Sequence, residues 1–324
     1  MSAAPQVVCM GELLVDMMAH PGGVKLPQAE HFVPKPGGAP ANVAVGLRRL
    51  GVPSAFVGMV GQDAFGTLLR DTLEAEQVDI RSLATTTEQP TTLAFVAIDA
   101  KGVPDFSFYR HPGADLSIKE SDVDASVFES SRVFHFGSLS LTAPPARDTT
   151  LALLTQEHGR GRFITYDPNY RPALWPARDA ALTLMRQPLS QVHLLKVSEE
   201  ELAMLSGIED DILASAAALV ELGPRYVIVT RGEEGLTGWC DGEMVSVPGR
   251  KVEVVETTGC GDASMAGVIA ALLEAYPDLS ASTRIEPEVF ERALRFANAG
   301  AAIAATRLGA IPSLPTRAEV EAAL

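Results

Sequence analysis

The residues ETTGCGDASMAG, numbers 256–267, set one carboxylate directly behind a small, glycine-flanked turn and at the mouth of an apolar helix. With a strand ending at Val255 and a helix beginning near Asp262, such a turn gathers several unpaired backbone amides at one point. The helix dipole adds positive potential there, so an anion or a developing negative charge is stabilised. Gly259 and Gly261 let the backbone approach a ligand closely. Asp262 then stands beside an anion hole formed by the backbone of Gly259, Cys260 and Gly261. From there it can take a proton from a hydroxyl that attacks a held phosphoryl group. A plainer reading stays open, since an aspartate at a helix start often only caps the first amides. A dinucleotide fingerprint fits less well, because position 264 is Ser and the stretch comes late in the chain, and no GxxxxGK[ST] loop occurs anywhere.

Outward from that turn, the pattern is a series of strand and helix units. An apolar run at 7–11 continues through 13–15 and ends at Asp16, which reads as a buried strand followed by a loop. Residues 17–38 are rich in Pro and Gly, 39–50 are apolar at helical spacing, and 52–60 read as a strand before an amphipathic helix at 64–76. Strands at 91–98 and 105–109, joined across the turn Asp99-Ala-Lys-Gly102, suggest a hairpin. Strands follow at 133–136, 162–167, 192–197 and 226–230, and helices at 145–158, 178–185, 199–205 and 211–222. Such alternation implies parallel βαβ units. Near the end, 236–247 read as a hairpin, 252–255 as a strand, and 263–276 and 288–305 as helices, the first of them nearly all apolar. Pro and Gly punctuate elements and do not collect into a linker, so residues 1–324 are expected to form one α/β domain. A small β appendage is expected at about 12–35 and 90–112.

Composition narrows the partners. The chain has 324 residues, 47% of them hydrophobic, which is enough to bury a substantial core. A formal charge of −15 would repel nucleic-acid backbones and anionic membrane surfaces, so neither is an expected partner. Three distant cysteines, Cys9, Cys240 and Cys260, suggest neither a disulfide framework nor a zinc site and fit a reducing cytoplasm. No window approaches the apolar length needed to span a bilayer, and a soluble protein is expected.

The dodecamer resembles the C-terminal signature of the ribokinase-like, or PfkB, family of sugar and nucleoside kinases, D-T-T-G-A-G-D-x-F-x-A-G. Asp262 matches the family's catalytic base. Glu256 replaces the usual leading Asp, which contributes to a monovalent-cation site, and Cys260 replaces an Ala and would act through its backbone amide. The family's N-terminal signature is matched by Gly37-Gly-Ala-Pro-Ala-Asn-Val-Ala-Val-Gly-Leu-Arg-Arg-Leu-Gly51 and the following FVGMVGQDAF. The resemblance implies that Gly37, Gly38 and Asn42 bind sugar hydroxyls and that Asp16, after GELLV, receives two more. Read alone, Asp16 would be a turn residue and Asn42 a helix-start residue. The implied fold is a three-layer αβα sandwich with a mostly parallel central sheet and a small β-sheet lid.

On the nucleotide side, Lys196-Val-Ser-Glu-Glu-Glu201 is similar to the family's N-x-x-E motif, with Ser198 for the Asn and Glu201 for the glutamate that reaches Mg²⁺ through water. Without the family, its three glutamates read as a solvated first helical turn. Thr230-Arg-Gly-Glu-Glu-Gly235 resembles the T-x-G-x-x-G loop near the nucleotide, which implicates Thr230, Gly232 and Gly235, and Asn298 lies where the family packs its last helices around adenine. The segments FSFYRHPGAD (106–115), FHFGSLSL (134–141), DPNYRPALW (167–175) and GAIPSLP (309–315) look like bacterial and plant fructokinases. The resemblance therefore implies an ATP-dependent fructokinase using Mg²⁺ and a monovalent cation such as K⁺, dimeric through the lid. Two alternatives stay open. One is 2-keto-3-deoxygluconate kinase, for which Arg110 and Arg171 are the candidates to hold a carboxylate; otherwise Arg171 reads as a structural ion pair. The other is a sugar-binding regulator without catalysis.

Overall fold

The first strand, β1 (Val7–Met10), alternates between two cores: Val7 and Cys9 pack into one, Val8 and Met10 into the other. A strand buried on both faces needs a helical layer on each side. The computed structural model describes residues 4–98, 104–110 and 113–324. After β1 come β2 (Leu14–His20), β3 (His31–Gly37), α1 (Ala39–Arg49), β4 (Ser54–Gly61), α2 (Ala64–Ala75), β5 (Asp79–Thr86), β6 (Leu93–Ile98) and β7 (Pro104–Tyr109). They are followed by β8 (Val133–Gly137), α3 (Ala146–Gly159), β9 (Phe163–Asp167), α4 (Arg178–Arg186), β10 (Leu194–Ser198), α5 (Glu199–Ser206), α6 (Ile212–Glu221) and β11 (Tyr226–Thr230). The chain continues through β12 (Gly235–Cys240), β13 (Glu243–Pro248), α7 (Cys260–Ala275) and α8 (Pro287–Ala305).

Nine strands form the large sheet in the order β13-β12-β11-β10-β9-β8-β1-β4-β5. From β5 to β11 the pairings are parallel, and only the pairings of β12 with β11 and with β13 are antiparallel. The architecture is a three-layer αβα sandwich around a mostly parallel sheet, as the resemblance implies. From β1 the chain winds first to β4 and β5 and later back past β1 to β8, which makes β1 the switch point where ligands sit at strand carboxyl ends. Small residues let the helices on one face approach: a β-carbon on Gly46 of α1 would stand 2.8 Å from Ala266 of α7, and one on Gly267 would stand 2.8 Å from Ala297 of α8. That contact sets α1 against the start of α7.

The second sheet has the order β3-β2-β6-β7, with β2 and β6 parallel and the outer pairs antiparallel. It supplies the expected appendage, and the hairpin of β6 and β7 forms, although its turn 99–102 lies outside the described residues, as do His111 and Pro112. Three expectations fail here. Asp16 does not follow a strand but sits within β2, because the break at residues 11–13 ends β1 early and the chain re-forms a strand in the other sheet. The edge strands β3 and β5 escape sequence reading, since β3 carries two prolines, tolerable only at an edge, and β5 mixes Asp79 and Arg81 into its apolar alternation. Residues 252–255 form no strand: their β-branched side chains find no neighbouring ladder, and the amides of Val255 and Glu256 donate instead to the Ala305 carbonyl.

Candidate active site

Two cavities meet at the start of α7. One, of about 430 Å³, lies between the small sheet and the carboxyl ends of β1, β9 and β10; its wall includes Glu12, Asp16, Gly38, Asn42, Asp167, Arg171, Lys196 and Asp262. The other, of about 830 Å³, runs from Thr230, Gly232 and Gly235 to Asn298, Ala301, Ala302 and Ala305 on α8. Both touch Thr257 and Gly261. A group held at that turn is therefore reachable from both sides.

The turn itself explains why. Gly259 precedes α7 with φ +85°, a conformation that an L side chain resists, and provides no side-chain cap. The Ala263 amide donates to the Gly259 carbonyl and the Cys260 amide to the Thr257 carbonyl. Among the described residues, no acceptor bonds the Gly261 and Asp262 amides. The anion hole is thus narrower than the sequence reading had it, because the closure of the turn uses the Cys260 amide. The side chain of Cys260 is half-buried in the wall of the larger cavity.

Asp262 is buried, and its Oδ2 accepts from Asn42 Nδ2 at 2.7 Å rather than from an amide of its own helix. The capping alternative therefore falls away. Burial, followed by the charge of Asp167, pushes the Asp262 carboxyl up to about 6, against the Asn42 bond, Lys196 and Arg171. Asp16 is pushed up to about 7 by burial and by Glu256, with Arg171 opposing. The paired glycines are dictated by these acids. A β-carbon on Gly37 would stand 2.3 Å from Asp16 Oδ2, and one on Gly38, where φ is +115°, would stand 2.4 Å from the Glu12 carbonyl oxygen.

Arg171 faces the smaller cavity, its guanidinium 5.7 Å from the Phe106 ring centroid and one nitrogen donating to the Tyr170 carbonyl. No acid pairs with it among the described residues. Arg110 is a correction. It is almost fully buried, its Nε and Nη2 both donating to Asp115 Oδ2 and its Nη groups also donating to the Leu139 carbonyl and Thr142, so all three nitrogens are engaged and it does not line the cavity. A buried guanidinium needs such partners to offset its desolvation.

On the larger cavity's side, Thr230, Gly232, Gly235 and Asn298 all reach the wall, with Asn298 Nδ2 donating to the Pro248 carbonyl. Ser198 does not line either cavity. It caps α5 by accepting from the Glu201 amide, and Glu201 is neither solvated nor free, since its two oxygens accept from the amides of Ser198 and Tyr170. Glu201, like Ser198, lines neither cavity. Glu256 keeps a free acceptor: Oε2 accepts from the Gly309 amide while Oε1 is buried without a partner among the described residues. Among the described residues no cluster of three or more His, Cys, Asp or Glu side chains forms a metal centre.

Two functional residues were missed by the sequence reading. Glu12, pushed up to about 7 by burial, accepts from the Ala39 amide at 3.0 Å and so caps α1, whose own N-cap, Gly38, has no side chain to do it. Asp167 pairs with Lys196 at 2.8 Å across adjacent strands.

The pfkB family carbohydrate kinase model matches residues 4–317. Among relatives, the chain is 39% identical over 317 residues to fructokinase-1 of Oryza sativa subsp. japonica, covering 97% of this chain and 96% of the relative. Among solved structures, fructokinase from Xylella fastidiosa with bound ATP superposes with a TM-score of 0.89 at 33% identity, covering 98% of this chain and 97% of that one. Fructokinase from Vibrio cholerae O395 with fructose, ADP and calcium gives 0.86 at 30% identity and covers both chains completely.

Proposed function

We propose that this chain, which belongs to the pfkB family of carbohydrate kinases, is a fructokinase that transfers the terminal phosphoryl group of MgATP to the 6-hydroxyl of D-fructose. The observation that carries the reading is the junction of two cavities at Thr257 and Gly261, with Asp262 buried on the smaller side. Fructose occupies the smaller cavity, oriented by Asp16, Asn42 and the Gly37-Gly38 backbone. Nucleotide occupies the larger one, with the ribose and phosphates along Thr230, Gly232 and Gly235 and the base against Asn298 and α8. Relatives named fructokinase and neighbours holding ATP, or fructose with ADP, support both assignments.

Asp262 takes the proton of the attacking hydroxyl as the new oxygen–phosphorus bond forms, the bond from that phosphorus to the ADP oxygen breaks, and ADP leaves with the electron pair. The Gly261 and Asp262 amides, the α7 dipole and Lys196 take up charge on the phosphoryl group. Glu201 would face the magnesium of the nucleotide, which would supply positive charge beside the transferring group. A monovalent cation at Glu256, when bound, would add positive charge beside the turn. Since Asp262 must be ionised to act and its carboxyl is pushed up to about 6, activity falls as pH drops through that region.

The whole chain acts as one kinase domain, with the small sheet as its lid. Its outer face carries Phe32, Phe95 and Tyr109 in edge-on contact at 4.8 and 5.2 Å, and Tyr109 is 66% exposed. A second copy covering that face would make a homodimer, which sedimentation would reveal. Free Cys9, Cys240 and Cys260 suit the cytoplasm. The commitment of Arg110 to Asp115 leaves Arg171 as the one arginine of the candidate pair on the cavity wall, beside a Lys196 already paired with Asp167, which favours fructose over 2-keto-3-deoxygluconate. ADP release with MgATP and potassium across fructose, 2-keto-3-deoxygluconate, ribose, glucose, tagatose and adenosine tests the reading. Turnover with fructose alone is expected; silence with every acceptor would return the chain to a binding role.

A further inference from the structure

We infer that Asp167 is a positioning residue for phosphoryl transfer: its carboxylate holds the Lys196 ammonium beside Gly261 and away from Asp262, so that cation and base serve one reaction without pairing with each other. The inference rests on the kinase reading above and adds a residue to it.

Lys196 lies on β10 and Asp167 at the end of the neighbouring β9; both are about 95% buried or more, and Nζ meets Oδ2 at 2.8 Å. A β-carbon on Gly261 would stand 2.9 Å from Nζ, so the ammonium sits against the turn where the two cavities join. Burial opposes the charge on Lys196, but the carboxylates of Asp167, Glu201 and Asp262 together hold its affinity for the proton above normal. Three acids thus compete for one buried cation. Glu201 has both oxygens on backbone amides, whereas Asp262 accepts a side-chain bond only from Asn42. Among the described residues the Asp167 side chain has no other hydrogen-bond partner, and its Oδ1 is buried and unbonded. That single bond decides where the ammonium goes.

Without that bond, a buried ammonium turns to the nearest free carboxylate, because an unpaired charge in the interior is costly. That carboxylate is Asp262. A base bonded to Lys196 is weaker, and the oxygen that should face the acceptor hydroxyl is occupied. Asp262 is also faced by Asp16 from β2, Asn42 from α1 and Arg171 from the loop after β9, none of which bonds Lys196.

The test is a double-mutant cycle with Asp167→Asn and Lys196→Met, alone and together, measured with fructose and MgATP. Asp167→Asn is expected to lower kcat about 100-fold with KM for fructose within about 3-fold of the parent, and to cost less than about 3-fold more when added to Lys196→Met. Losses that multiply in the combined variant, or a kcat for Asp167→Asn within about 3-fold of the parent, would overturn the inference. If Asp167→Asn does not fold, Lys196→Met alone decides. With Asp167 left uncompensated beside Asp262, the acidic limb of kcat should move to higher pH, and an unmoved limb would refute the role. Asp262→Asn serves as the separate control: retained turnover there would sink the base assignment itself, while a failure confined to the cycle touches only Asp167.

Discussion

The two cavities that meet at α7 are built in opposite ways. The smaller is walled by charge taken out of water: Glu12, Asp16, Asp167, Lys196 and Asp262. The larger is walled mainly by glycines, alanines and valines, and its charged residues Glu233, Glu234, Arg250 and Lys251 stay exposed. A wall of buried hydrogen-bonding groups discriminates steeply, because a ligand lacking the matching hydroxyl leaves them unpaired. A wall of small apolar groups selects by shape and tolerates more. Substitutions on the acceptor side should therefore act mainly on turnover and sugar affinity, and those on the donor side on nucleotide affinity.

The hardest blow to that contrast is Asp262→Asn. Turnover should drop by about 10²- to 10⁴-fold with fructose binding nearly intact, as steady-state kinetics and calorimetry would report. The same change should stabilise the fold at pH 8. The Asp262 carboxyl is raised in the native state, so the native chain holds a proton that the unfolded chain releases, and this group's contribution falls as pH rises from about 4 to about 6. Removing it gains up to about 3 kcal/mol above that window and little below it, a difference that urea unfolding at pH 8 and pH 4 resolves. Next, Asp16→Asn should raise KM for fructose about 10- to 100-fold, since it replaces a half-buried carboxyl that receives sugar hydroxyls with an amide. On the donor side, Ala302→Leu should raise KM for ATP about 10-fold with kcat little changed, by overfilling the slot on α8. Equal effects of Asp16→Asn and Ala302→Leu on both KM values would erase the distinction between the walls. Last, Cys260→Ala should alter either constant by less than about 2-fold, because its amide is spent on Thr257 and its thiol only borders the cavity.

What the sequence reveals follows the same divide between local and assembled features. Asp262, Asn42 and the glycines stand in contiguous patterns whose chemistry is local, and the helices around them repeat at their own period. Glu12 offers no such pattern: one acid after a strand looks like any turn, and its role appears only when Ala39 folds against it. The Asp167 and Lys196 pair is written on two strands that meet only in the sheet. Arg110 was legible in principle, since its partner Asp115 lies five residues on, but an arginine among aromatic residues equally suggests a ligand. The valines at 252, 254 and 255 have strand propensity without a strand to pair with, and propensity alone does not supply a neighbour.

The strand that opens the chain is the one that finishes in the middle of the sheet. During synthesis β1 can pair with β4 early, yet its other edge has no partner until Val133 and the residues after it emerge. For that interval the nascent chain carries an open, apolar edge, the kind that recruits other strands. Asp262 arrives later still, 220 residues after the asparagine it must meet. The fold thus asks that edge to stay shielded over more than a hundred residues of synthesis before its second partner arrives.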